Sequence, residues 1–306
     1  MKILLADHFG LCFGVRDAIA QARQLARSGP LTILGQLVHN PIVREQLHQG
    51  GVQEADVEQT KAPSRRVMIT AHGASDQRRA DWRRAGFDVF DGTCPLVRSA
   101  HEQLKQLVLA GYWPVVVGQR GHVEVRGLTG DFPHAAILES LSDIEQVPPG
   151  PRYGVISQTT QPIEYVQGLV EALRKRFPQS GVRFVDTVCQ PTKNRQSALH
   201  KLIAAVEVVV VVGGRDSNNT RQLVATCRAA GRRAIHIERP EELQPADFDG
   251  VNIVGLTAGT STLRETVTAV QVRLQEIAKC KEQLLSGCRI QRDDERKAVA
   301  PLKDVE

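Results

Sequence analysis

Three cysteines of this chain, Cys12, Cys94 and Cys189, sit in one local pattern: ADHFGLCFGVRDAI, VFDGTCPLVRSAH and RFVDTVCQPTKNRQSAL. In each, a short apolar run and an Asp precede the thiol and a segment of helical period follows it. A thiol at a strand-to-helix turn, flanked by Gly, Pro or Thr, is placed to act as a thiolate, the form that binds metal. Structural zinc usually takes its ligands in close pairs such as C-x2-C, and no such pair occurs here. Three thiolates from three distant segments suit either zinc completed by a His or an iron–sulfur cluster with one iron left open. An open iron is a Lewis acid able to take a substrate oxygen.

Two polar clusters follow each cysteine. The first contains His39 in VHN, His122 and Glu124 in GHVE, and Ser217, Asn218 and Asn219 in DSNN; the second contains His72 in AHG, Thr159 in SQTT and Ser261 in AGTS. From cysteine to first cluster is 27, 28 and 30 residues, and to the second 60, 65 and 72, so the chain carries three copies of one plan. Glu124, a carboxylate beside a metal and His groups, is a natural proton donor or relay. The serines and asparagines, with the three His, are neutral donors of the kind that cradle phosphate oxygens. His101 and His200 lie on helical segments and read as structural. Cys227, Cys280 and Cys288 read as small buried hydrophobes, the commonest use of a lone cysteine.

The elements that must place these groups are legible as alternation. Short β-branched runs (KILLA 2–6, TILG 32–35, VMIT 67–70, DVF 88–90, PVVVG 114–118, YGVIS 153–157, RFV 183–185, EVVVVVG 207–213 and VNIVGL 251–256) are separated by segments of helical period. That alternation predicts an α/β architecture with mostly parallel strands. The nine strands divide into three sets, giving three related α/β units: residues 1–93 with Cys12, 94–188 with Cys94, and 189–285 with Cys189. Residues 286–306 read as a charged tail, loosely ordered or wrapped on the surface. Ligands of open parallel sheets bind at the carboxyl ends of strands. All three copies put their Cys and polar clusters there, so three units facing one another would gather the three thiols at a common centre.

Bulk composition narrows the function. The 306 residues are 42% hydrophobic, enough for a sizeable core. A net charge of +5 could point to nucleic acid, but aromatics are 4% and the Arg residues are dispersed, so no nucleic-acid partner is expected. A small anionic substrate or an acidic protein partner fits as well. No run of roughly 18 apolar residues suggests a membrane partner, and scattered cysteines behind a plain N-terminal strand place the chain in the cytoplasm. With no Walker motif and no G-x-G-x-x-G, a nucleotide cofactor is not expected.

At these residues the chain resembles the 4-hydroxy-3-methylbut-2-enyl diphosphate reductase family of the non-mevalonate isoprenoid pathway. GLCFGV, VHN, AHG, DGTCPLV, GHVEV, QTT, CQPTKNRQ, SNN and TAGTS occur in order from residue 3 to about 280. The resemblance implies a trefoil of three pseudo-threefold-related α/β domains around a central [4Fe–4S] cluster, held by Cys12, Cys94 and Cys189, its fourth iron open to the substrate hydroxyl. It implies that His39, His72, His122, Ser217, Asn218, Asn219 and Ser261 bind the diphosphate and that Thr159 sits near the hydroxyl. It further implies that Glu124 supplies the proton, with Thr159 and His122 beside it in the catalytic set. Two electrons and two protons would remove water from the allylic alcohol, giving isopentenyl and dimethylallyl diphosphate. The electrons would come from a reduced ferredoxin or flavodoxin. Departures are Asn218 and Arg221 in DSNNTRQ and Val123 in GHVEV. Competing readings are a cluster-bearing paralogue that reduces another allylic diphosphate and a zinc-stabilised binder of phosphorylated ligands that uses the three Cys and His122.

Overall fold

The computed structural model describes residues 1–56 and 58–298 and, of their side chains, those before 282 together with Gln283. The chain opens with β1 (Lys2–Leu5), α1 (Phe13–Arg27), β2 (Leu31–Leu34), α2 (Pro41–Gln49), β3 (Val52–Ala55), β4 (Arg66–Ile69), α3 (Asp76–Arg84) and β5 (Asp88–Asp91). It continues through α4 (Pro95–Leu109), β6 (Trp113–Val117), α5 (Val123–Thr129), β7 (Ala136–Leu138), β8 (Arg152–Ser157), α6 (Ile163–Arg176) and β9 (Gly181–Phe184). Last come α7 (Gln190–Ala205), β10 (Val208–Val212), α8 (Asn218–Ala229), β11 (Arg233–Ile237), β12 (Ile253–Ala258) and α9 (Arg264–Ala298). The strands form three four-stranded sheets, ordered β3-β2-β4-β5, β7-β6-β8-β9 and β11-β10-β12-β1, and every pairing is parallel.

The central strands are buried on both faces, which is why they read as apolar runs rather than alternations. In β10, Val210 and Val212 enter one core while Val209 and Val211 enter the core on the opposite face. In β6, Val115 and Val117 are separated from Val116 in the same way. Helices cover both faces of each sheet. The repeated plan shows in the packing as well: Leu25, Leu107 and Leu202 each lie thirteen residues past their cysteine. Leu25 packs in the core that holds Met68 of β4. The position of β4 that matches Gly154 of β8 and Gly255 of β12 is held by Arg66, whose guanidinium reaches Leu25 O, whereas a Cβ at the two glycines would stand 2.8 Å from Leu107 and 2.9 Å from Leu202. Those two helices therefore lie closer to their sheets than any side chain would allow.

Four expectations from sequence are corrected. Strand β1 does not belong with residues 1–93: it pairs with β12, Lys2 opposite Ile253 through Leu5 opposite Leu256, and so completes the third sheet. Each cysteine is thus delivered by the edge strand that closes the preceding unit. The second correction is three further strands, β3, β7 and β11, each at the opposite edge of its sheet. VQEA, AIL and RAIHI are short or half polar, because an edge strand buries less. Third, residues 286–298 continue α9 instead of starting a tail; the stretch is free of Pro, and its three Arg with Gln291, Glu295, Lys297 and Ala298 are good helix formers that outweigh Gly287. The rest of the expected tail, 299–306, lies outside the described residues. Fourth, Cys280 is exposed, not buried, whereas Cys227 is buried as expected; the side chain of Cys288 lies outside the described ones.

Replacing Gly154 or Gly255 by Ala is expected to destabilise the protein by about 1–3 kcal/mol through overpacking. The same change at Gly168 of α6, where nothing lies within 4 Å of the new methyl, should stabilise by up to ~1 kcal/mol. Denaturant midpoints of the three variants check this; equal effects at all three would contradict the close approach of α4 and α7.

Candidate active site at the junction of the three units

Cys12, Cys94 and Cys189 are the residues immediately before α1, α4 and α7, each half-buried, and Cys189 Sγ lies 3.1 Å from Thr192 Oγ1 in the first turn of its helix. Their backbones are fixed by one repeated contact. The N–H of Cys12 donates to Thr260 O at 3.1 Å, that of Cys94 to Ala71 O at 3.1 Å, and that of Cys189 to Thr159 O at 2.9 Å. Each acceptor lies in the polar turn after the neighbouring strand, the turn that also carries Ser261, His72 or Thr159. The positive ends of three helices therefore meet three thiols, an arrangement that favours thiolate.

The units approach closely here. A Cβ at position 14 would collide with Cys94 Sγ, so Gly14 is what lets the first turn of α1 reach the second unit's thiol. Cys94 and Cys189 each feel the charge of Cys12 and of Glu124. Burial pushes the Cys94 thiol up, and the Cys189 thiol up to about 11 in spite of hydrogen bonds from Thr192. Burial here opposes the pull of the helix termini and keeps these two free thiols in the neutral form.

The first polar clusters stand at helix starts. Asn40 caps α2, accepting from Ile42 and Val43 N–H; His122 Nδ1 caps α5, accepting from Glu124 N–H at 3.1 Å; and Ser217 caps α8. His39, His72 and His122 come together although each is on a different loop: ring centroids are 4.8 Å apart for His39 and His72, 5.5 Å for His39 and His122, and 5.2 Å for His72 and His122. With Ser217, Asn218, Asn219 and Ser261 they line one cavity of about 30 Å³.

Burial dominates the electrostatics. It lowers the basicity of all three imidazoles, His72 most, with His39 and His122 adding to the effect, and His122 falls to about 3. The Nε2 atoms of His39 and His72 are buried without a hydrogen-bond partner, a cost that a ligand able to share a proton with them would relieve. Glu124 is 1% exposed, and burial pushes its carboxyl up to about 7 even though Oε1 accepts the Thr159 N–H at 2.7 Å. It therefore holds its proton near neutrality. Ser261 Oγ donates to His39 O and Asn218 Nδ2 to Thr160 Oγ1 at 3.0 Å, which joins units, while Asn219 Oδ1 accepts the Thr260 N–H within the third unit.

Every site residue singled out in the sequence is therefore at this junction, with Thr159 and Glu124 on the side of the thiols. His101 on α4 and His200, exposed on α7, are not among the cavity's lining. Arg221, one of the departures, donates to Gln119 Oε1 at 2.7 Å instead of entering the cavity. Sequence reasoning missed Thr160, Thr260 and Gln36, whose Oε1 meets His39 Nδ1 at 3.1 Å. It also missed Asn40, which donates to Ser261 O at 2.8 Å, and the buried Arg195. Thr160, Thr260 and Asn40 were within reach, since each lies inside a quoted motif; Gln36 and the burial of Arg195 had no local signal.

Residues 3–275 match the LytB protein family. A 4-hydroxy-3-methylbut-2-enyl diphosphate reductase of Aquifex aeolicus is 35% identical over 293 residues, covering 94% of this chain and all 100% of the relative. One from Geotalea daltonii is 35% identical over 283 residues, covering 92% and 99%. Among solved structures, the E-1-hydroxy-2-methyl-but-2-enyl-4-diphosphate reductase of Plasmodium falciparum superposes with a TM-score of 0.82 at 26% identity, covering 87% of this chain and 86% of that one. A second, (E)-4-hydroxy-3-methyl-but-2-enyl diphosphate reductase, described as the terminal enzyme of the non-mevalonate pathway, gives 0.65 at 34% identity, covering 90% and 100%. With three thiols, three imidazoles and one buried carboxyl held at the meeting of three parallel sheets, and with relatives of that name matched from end to end, the chain belongs to the LytB protein family.

Proposed function

We propose that this protein is a 4-hydroxy-3-methylbut-2-enyl diphosphate reductase, which converts its substrate to isopentenyl and dimethylallyl diphosphate with two electrons and two protons. The observation that carries the reading is the convergence of a three-thiol set, a buried protonated carboxyl and a three-imidazole cavity at one junction. The thiols fit a [4Fe–4S] cluster: all three donors are soft, none has a close cysteine partner, and the buried Nε of Arg195 beside them lacks a hydrogen-bond partner. Bound there by Cys12, Cys94 and Cys189, such a cluster supplies single electrons and an open Lewis-acidic iron.

The remaining work falls to the chain's own groups. His39, His72, His122, Ser217, Asn218, Asn219 and Ser261 bind the diphosphate, its negative charge replacing the water that burial has removed from the imidazoles. Helices α2 and α8 direct their N-termini at the same region, which adds to the attraction for an anion. Thr159 orients the Glu124 carboxyl through its backbone N–H, and Glu124 donates the proton that lets hydroxide leave as water. Electrons arrive from a reduced ferredoxin or flavodoxin. A zinc-binding alternative built on the three Cys and His122 is disfavoured because His122 stands with His39 and His72 and spends Nδ1 on the α5 cap.

The thiol assignment is tested by substitution. Cys12→Ser, Cys94→Ser and Cys189→Ser should each lose most bound iron and sulfide, since a hydroxyl is a poor ligand for soft iron, whereas Cys227→Ser should retain both. Full content in all three site variants, or zinc with no iron in the wild type, would overturn it.

For Glu124→Gln the expectation is an intact cluster and similar substrate affinity, with turnover reduced ~10²- to 10⁴-fold. Because the acid form is the active one and Glu124 titrates at about 7, wild-type turnover should fall as pH rises through that value. The residual rate of the Gln variant should lack that limb. Turnover within a few-fold of wild type would demote Glu124 to a structural role.

The imidazoles give a third expectation. They are neutral in the free protein because burial lowers their pKa, and a bound diphosphate raises it again. Protons taken up by the protein on binding go to these imidazoles, so affinity should weaken as pH rises through the pKa values they reach in the complex. Calorimetry with inorganic pyrophosphate in two buffers of different ionisation heat, corrected for the ligand's own ionisation, reads the protein's uptake, and net proton release by the protein would contradict the assignment.

A further inference from the structure

Arg195 is a charge without a counter-charge. It projects from α7, is 5% exposed, and forms no ion pair among the described residues. Its guanidinium donates to Pro191 O at 2.8 Å on its own helix and, through the other terminal nitrogen, to Gly10 O in the loop that leads to Cys12. Its third donor, Nε, is buried and has no partner. The charges that act on it are those of Cys12 and Cys189.

A lone buried cation is one of the costliest features a fold can carry. Arg cannot shed that cost by losing its proton, as Lys does, because it stays charged in proteins. The backbone carbonyls of Gly10 and Pro191 explain how two of its nitrogens are satisfied but supply no net charge. The missing anion has to be at the thiols. Three thiolates around a [4Fe–4S]²⁺ core leave one net negative charge, and one-electron reduction adds a second.

We propose that Arg195 is the counter-charge of the cluster: a fixed, buried cation that raises the reduction potential at the three thiols and, by bridging α7 to Gly10, positions the Cys12 loop against Cys189. The inference rests on the cluster reading above. Its physical basis is that a nearby positive charge stabilises the more negative, reduced form more than the oxidised form, and a dry, low-dielectric setting screens that difference little. Arg195 thereby makes the cluster easier to reduce by a low-potential one-electron carrier. The residue is a positioning and charge-tuning group; it is not placed on the substrate.

The test is a mediated redox titration of anaerobically reconstituted protein, followed by the electron paramagnetic resonance signal of the reduced cluster, with iron and sulfide measured on each sample. For Arg195→Gln the expected result is an intact cluster that is at least tenfold less reduced at a fixed solution potential, a downward shift of at least ~59 mV for a one-electron couple. Arg195→Lys, which keeps the charge, should shift less than half as far. An intact cluster with an unchanged potential in Arg195→Gln overturns the proposal. If that variant holds no cluster, Arg195→Lys decides: near-normal iron content and potential support the charge account, whereas loss in both variants, with the fold retained by circular dichroism, assigns Arg195 to the loop staple alone and overturns it. A wild-type protein free of iron and sulfide would instead sink the cluster reading itself.

Discussion

Three backbone hydrogen bonds organise this protein: Cys12 to Thr260, Cys94 to Ala71 and Cys189 to Thr159. Each ties a thiol-bearing turn to the polar turn of the neighbouring strand, β12, β4 or β8. Parallel pairing makes this possible, because it brings the carboxyl ends of adjacent strands side by side and leaves their loops on one edge of the sheet. The constraint also explains the path of the chain. For Cys12 to hang from β12 as Cys94 hangs from β4, the N-terminal strand must join the last sheet, and Lys2 through Leu5 does so. The ring of three units is closed by the chain's first strand.

Desolvation is the common cause of the site's electrostatics. It holds the imidazoles neutral, raises the Glu124 carboxyl and the Cys94 and Cys189 thiols, and opposes the charge of Arg195, which forms no ion pair among the described residues. Each of these is a cost in the free chain, and each is relieved by a species of opposite need: an anion for the imidazoles, metal for the thiols, a negative cluster for the guanidinium. The hydrogen bonds that cross units here, Asn40 to Ser261 and Asn218 to Thr160, hold the walls of the small histidine-lined cavity together.

Much of this was legible in the sequence because the repeat is written in spacing, and for the site residues spacing survives where residue type does not. His72, Thr159 and Ser261 differ chemically yet occur 60, 65 and 72 residues after a cysteine. The doubly buried strands β6 and β10 announce themselves as valine runs, while β3, β7 and β11 escape notice because edge strands carry mixed side chains. The pairing of β1 was not legible, since nothing in KILL states which sheet it completes; only the threefold rule, applied strictly, would have moved it. Arg195 went unremarked for a similar reason: burial of an Arg is a property of three loops meeting and leaves no mark in CQPTKNRQ itself.

The central claim is that cysteines from three units hold one cluster whose fourth iron faces the diphosphate cavity. Mössbauer spectroscopy of protein reconstituted with ⁵⁷Fe, recorded with and without 4-hydroxy-3-methylbut-2-enyl diphosphate, tests it most directly. The account predicts that about a quarter of the iron is distinguishable from the rest and that this fraction alone changes its isomer shift when substrate is added. A cluster whose iron is indifferent to substrate would contradict the account, as would a protein that takes up no iron.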